Sequence, residues 1–257
     1  ANETTLTYSS SATQTLSGAI SGAGAVVKDT DASVLTLSGT NTFTGDLTVN
    51  LGTVDVTGTL AAGVDVVVAD AAAIYAVSAS DTINTLTVGA AGKAQLDSGQ
   101  TLTIAATSAI AGIVQGDGNL SITGGTTTLS AANTYAGTTT IAAGATILID
   151  GGGKLGNGSN VYAGAISNAG TLDYDSTANQ TLSGIISGAG ALTITGSGTG
   201  ALTLTGANTF SGAIDMDTGS LVIGGAGKLG NGSNVYAGAI ANETTLTYSS
   251  SATQTLS

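Results

Sequence analysis

The 257-residue sequence contains no cysteine, proline, histidine or tryptophan, and no arginine; its only cations are Lys28, Lys93, Lys154 and Lys228. Each absence removes a class of function. Without cysteine there are no disulfides, no thiolate metal site and no Cys–His nucleophile. Without histidine a Ser-His-Asp site cannot be assembled. Four lysines are too few to neutralise a phosphate backbone, which argues against nucleic acid as a partner, and they offer an anionic membrane surface little. Charged residues make up 8% of the chain, against about 25% in a typical globular protein. No apolar run approaches the roughly 20 residues a membrane helix needs. Ala1 opens a repeat unit rather than a charged leader with an apolar core, so any targeting or anchoring element is expected outside these residues.

What is present is 40 glycines, abundant Ala, Ser and Thr, and a 42% apolar fraction. That fraction is too high for disorder, so the chain is expected to fold. The net charge of −12 comes mostly from dispersed Asp, which favours solubility.

Internal repetition is the strongest signal. Residues 1–17, ANETTLTYSSSATQTLS, recur identically at 241–257, a period of 240. The reading is one full repeat, 1–240, plus the start of the next, 241–257, forming a single continuous segment, 1–257, of a longer repetitive parent. Inside the period, KLGNGSNVYAGAI begins at both Lys154 and Lys228, and the text from Thr171 matches that from Thr5 and Thr245. A third motif occurs at Leu35, Thr127 and Leu202. It carries a Leu (Leu37, Leu129, Leu204), then an Asn (Asn41, Asn133, Asn208) and an aromatic (Phe43, Tyr135, Phe210). One Gly follows (Gly45, Gly137, Gly212), and a second comes further on (Gly52, Gly144, Gly219).

Self-similarity on this scale marks a quasi-one-dimensional array. Locally, runs such as Leu35-Thr-Leu37, Leu47-Thr-Val49 and Leu102-Thr-Ile104 alternate apolar and polar residues with period two, the pattern of short strands buried on one face. Gly, Asn, Ser and Asp separate them as turns. No helical period is sustained; the Ala-rich stretch Asp70 to Ala76 is too short and mixed. Thr53–Val56, Ile74–Ala76, Ala94–Leu96 and Gly112–Val114 recur at intervals that suggest stacked rungs. The motif interval is longer from Leu37 to Leu129 than from Leu129 to Leu204, a difference that looks like one rung. The expectation is an all-β solenoid of roughly thirteen rungs and about 60 Å per period.

The pattern L-x-G-x-N-T-[FY]-x-G with a trailing Gly-x-Leu-x-[VI] resembles the passenger-associated transport repeat of autotransporter adhesins. That resemblance implies a right-handed parallel β-helix, export to a bacterial surface and no catalytic residues. The second copy departs from it: Ala131 stands where the others have Gly39 and Gly206, which is expected to relax that turn.

Asp29/Asp31, Asp173/Asp175 and Asp215/Asp217 are spaced to share a strand face and so could converge as in glycosidases or bind Ca²⁺. No Arg, His or groove-lining cluster of Trp or Tyr accompanies them, and they read as solvated carboxylates. Gln115-Gly-Asp117-Gly-Asn119 reads as a turn rather than a Ca²⁺ loop. Thr-x-Thr runs, such as Thr101 and Thr103, reflect β-propensity rather than an ice-binding array. Asn41, Asn133 and Asn208 read as corner residues that bond neighbouring rungs, with Phe43, Tyr135 and Phe210 as fillers. Tyr162 and Tyr236 are expected to be exposed and to serve as possible lateral contacts. No catalytic, metal or cofactor residues are assigned. The expected function is a non-enzymatic shaft, whose partner is itself through end-to-end continuation and lateral bundling. A glycan- or host-binding adhesin module and a β-helix polysaccharide-degrading enzyme are the alternatives.

Overall fold

A computed structural model describes residues 1–69, 72–156, 160–230 and 234–257. Among these residues there is no helix, and every registered strand pair is parallel. The chain is a β-solenoid of about twelve turns. Of the Ala-rich stretch, Asp70 and Ala71 lie outside the described residues, and Ala73–Val77 is a strand.

Each turn visits three faces in the same order. Face one is a ladder of twelve strands from Thr5–Tyr8 to Ile240–Asn242, through pairs such as Thr5↔Ala25, Leu47↔Val66, Thr146↔Thr171 and Ile214↔Ile240. Face two carries Gln14–Leu16, the second halves of Ala25–Leu37 and Leu47–Val56, then Ala73–Val77, Lys93–Leu96 and Ile113–Gly116. It resumes from Val161–Tyr162 to Thr245–Tyr248. Face three includes the ladder from Asp81–Ile83 to Ile186–Ser187. The four segments whose recurrence suggested rungs do stack, as Val54↔Tyr75, Tyr75↔Ala94 and Ala94↔Val114.

The period-two pattern explains the core. On face one, Val26, Leu47, Val66 and Leu86 stack one above another and are fully buried, while Thr48 and Val67 between them face outward. Each buried Val, Leu or Ile contributes about 1.5–3 kcal/mol. Every rung also satisfies its backbone on the next, so stability accumulates from neighbour to neighbour.

The turns are less uniform than the sequence suggested. One runs from Leu47 to its partner Val66, whereas a later and longer one runs from Ile214 to Ile240. The turn from Thr139 to its partner Ile166 is longer as well. A 240-residue period therefore takes about eleven turns, not thirteen. The reading of the motif intervals is corrected too. Leu37 lies on face two, Leu129 on face one and Leu204 on face two, so the two intervals differ by four faces rather than by one rung.

Candidate functional site

Each copy of the motif is one closed turn that pairs with itself. Its first strand lies against its last: Leu35↔Val54 and Leu37↔Val56, Thr127↔Ile147 and Leu129↔Ile149, Leu202↔Leu221 and Leu204↔Ile223. The later glycine enters the last strand through a left-handed turn, with φ of +75° at Gly52, +80° at Gly144 and +62° at Gly219.

The Asn corner ties three rungs together. Asn133 Oδ1 accepts the Val114 N–H of the preceding rung at 2.8 Å, and its Nδ2 donates to Ala131 O and to Lys154 O of the following rung, both at 3.0 Å. Asn41 accepts from Ile20 N at 3.0 Å and donates to Gly39 O at 2.9 Å and Thr59 O at 3.2 Å. Asn208 accepts from Ile186 N at 2.9 Å and donates to Gly206 O at 3.0 Å. All three are buried, where an unpaired amide would be costly. The turn at Ala131 is not relaxed, since its carbonyl accepts the same bond as those of Gly39 and Gly206.

Phe43, Tyr135 and Phe210 are fully buried behind these corners. The expectation for Tyr162 and Tyr236 is overturned: they are 0% and 1% exposed. Each rests on the motif aromatic of the preceding rung, with ring centroids 5.5 Å apart for Tyr135–Tyr162 and 5.7 Å for Phe210–Tyr236. In each Val-Tyr strand the valine faces out and the tyrosine in, so Val161 and Val235 are the exposed members. The Tyr162 hydroxyl donates to Gly137 O at 2.6 Å, and Tyr236 bonds Gly212 O in the same way. A Cβ at Gly137 or Gly212 would collide with the carbonyl of Gly118 or Gly190 in the rung before, which accounts for the repeated glycine. Burial pushes both tyrosines up to about 12, so both hydroxyls stay protonated donors at neutral pH.

Sequence reasoning missed other corner groups. Ser108 Oγ accepts Leu86 N at 2.9 Å and donates to Ala106 O at 3.0 Å, the same device as the Asn corner. Asp81 accepts Leu60 N at 3.1 Å and Thr82 N at 3.0 Å, and Tyr75 Oη at 3.3 Å. The available signal was a polar residue at an inward parity, as in Asp81-Thr-Ile83. Lys28 is also buried; its Nζ bonds Thr30 O and lies 5.8 Å from the Tyr8 ring centroid.

Burial raises the Asp81 carboxyl above its ordinary value, more than its backbone hydrogen bonds lower it. A carboxyl whose folded value is raised penalises the fold when ionised, and that penalty fades as pH falls through the folded value towards 3.8. Asp81→Asn keeps the acceptor for Leu60 and removes the charge. The variant is expected to melt higher than the parent at about pH 7, with the gap closing in acid. Equal melting temperatures across that range, by circular dichroism, would contradict this.

The acidic pairs do not converge on a common ligand. Asp29 and Asp31 are separated by a register shift, with Asp29 accepting from Asn50 Nδ2 at 3.0 Å and Asp31 from Ser33 N at 2.9 Å. The latter bond holds the Asp31 carboxyl below its usual range. Asp173 and Asp175 share an outward face but bond Thr195 Oγ1 and Gly198 N respectively. Asp215 and Asp217 also face outward. Among the described residues no group of three or more Asp or Glu is placed to hold a metal ion.

These features define a repetitive parallel β-solenoid whose distinctive residues serve its own stacking. The passenger-associated-transport-repeat family model matches residues 29–56, 124–148 and 197–223. Those are the three self-pairing turns, and the matches are consistent with an autotransporter passenger region. Comparison with curated proteins and with solved structures finds no match.

Proposed function

We propose that this chain is a non-enzymatic structural segment of a secreted bacterial surface fibre or adhesin stalk, an extended filament that projects from cells or connects them. The observation that carries this reading is the twelve-strand parallel ladder of face one, which the 240-residue sequence period is suited to continue. The aromatic, Asn and Gly residues that stand out in the sequence are spent on joining rungs, and the outward positions of the strands are mostly Thr, Ser, Asp and small residues. Such a surface is solvated and acidic. Electron microscopy and fibre diffraction of the native assembly test the proposal. The expected pattern is an axial spacing of about 4.8 Å and a longer repeat of about 54 Å. Compact particles one repeat long, without axial continuation, would move the weight to a discrete glycan-binding module.

A further inference from the structure

The two KLGNGSNVYAGAI segments make the same joint on different faces. In the first, Leu155 N donates to Gln180 Oε1 at 2.7 Å, Gln180 Nε2 to Asn160 O at 3.1 Å, and Lys154 Nζ to Asn160 Oδ1 at 2.5 Å. In the second, Leu229 N donates to Gln254 Oε1 at 2.6 Å, Gln254 Nε2 to Asn234 O at 3.1 Å, and Lys228 Nζ to Asn234 Oδ1 at 3.0 Å. The strand registers agree, with Val161↔Thr181 in one and Val235↔Thr255 in the other. Yet Ile166, which ends the first segment, lies on face three, and Ile240, which ends the second, lies on face one. The joint has moved by one face with its hydrogen bonds intact, so the faces are interchangeable hosts for it.

The identical segments 1–17 and 241–257 show the same displacement. Thr5 opens the face-one ladder, and eleven turns later that ladder reaches Ile240–Asn242. Thr245, the counterpart of Thr5, lies one face further on, paired with Ser220 on face two. We infer that the 240-residue period advances the solenoid by eleven turns and one third, so that a following copy of the unit, docking its own residues 1–17 as residues 241–257 dock here, enters rotated by one face. The partner this end fits is therefore a second copy of the same unit, and the inference rests on the reading of the chain as a repeating shaft. Each copy adds about 54 Å, and every third copy returns to the starting orientation. A surface feature fixed in the repeat then points in three directions in turn. Lateral partners can approach the shaft from any side.

The isolated 257-residue chain tests this whether or not it assembles, so failure here is distinct from failure of the filament reading. Outward neighbours are replaced by cysteine in pairs and treated with dibromobimane, which fluoresces when it bridges two adjacent thiols. Val222→Cys with Thr247→Cys is expected to bridge, because these residues are partners on face two. Asp215→Cys with Ala241→Cys is expected to bridge on face one. Asp215→Cys with Thr247→Cys is expected to remain unbridged. Thr7→Cys with Val27→Cys, partners in the first two rungs, is the folding control. Bridging of the Asp215/Thr247 pair would overturn the inference, since it would place the second segment on the same face as the first. So would failure of both the Val222/Thr247 and Asp215/Ala241 pairs while the control bridges.

Discussion

Tyr162→Ala is expected to lower the unfolding free energy by about 3–5 kcal/mol, the range for emptying a buried aromatic site. The ring is fully buried against Tyr135, and its hydroxyl joins Thr139 Oγ1 at 2.7 Å and Gly137 O at 2.6 Å. Removing it opens a cavity between two rungs and leaves both polar partners without the phenol. Tyr162→Phe separates the two contributions: it keeps the ring and is expected to cost about 1–2 kcal/mol, the scale of a buried hydrogen bond. Denaturant titration followed by circular dichroism gives both values. A lateral-contact role would predict the opposite pattern, with stability unchanged and only assembly altered. If Tyr162→Ala unfolds at the parent's midpoint, the packing account of the joint fails.

Asn133→Ala is the second large effect, expected at about 2–4 kcal/mol on the scale of a lost buried amide. Asn133 Oδ1 accepts the Val114 N–H, and an orphaned buried donor costs about 1–3 kcal/mol, to which the lost bonds to Ala131 O and Lys154 O add. Those two carbonyls also accept the Asn133 backbone N–H, which limits the total. Asn50→Ala is the matched control: Asn50 bonds Asp29 on the surface, and its loss is expected to cost at most about 0.5 kcal/mol. Asn133→Asp sharpens the test, because it keeps the acceptor for Val114 but turns a second oxygen towards two carbonyls. Its destabilisation is expected at neutral pH and to diminish in acid, where a protonated carboxyl can again donate. Equal costs for Asn133→Ala and Asn50→Ala would show that the corner does not tie the rungs.

Much of this is legible in the sequence. Alternation in Leu35-Thr-Leu37 and Leu47-Thr-Val49 assigned inward and outward residues, and the repeated Asn, aromatic and Gly positions marked a recurring turn. Tyr162 and Tyr236 were misjudged because a strand as short as Val161–Tyr162 gives alternation no room to reveal its parity. Asp81 and Ser108 were not legible because each opens a three-residue strand, too short to show that a polar residue there faces inward, and only the tertiary structure brings Leu60 N and Leu86 N of the rung before to them.

The sequence by itself determined the all-β class, the repeat and its period, and the identity of the self-pairing motif, because strand alternation and glycine turns are local properties of short stretches. It could not determine which face any strand occupies. That depends on the accumulated length of every turn before it, and turns as unequal as Leu47 to Val66 and Ile214 to Ile240 leave no fixed count to extrapolate. The placement of Thr5 and Thr245 on different faces therefore appeared only in the tertiary structure, where hydrogen bonds between rungs set each strand's register against the one before it.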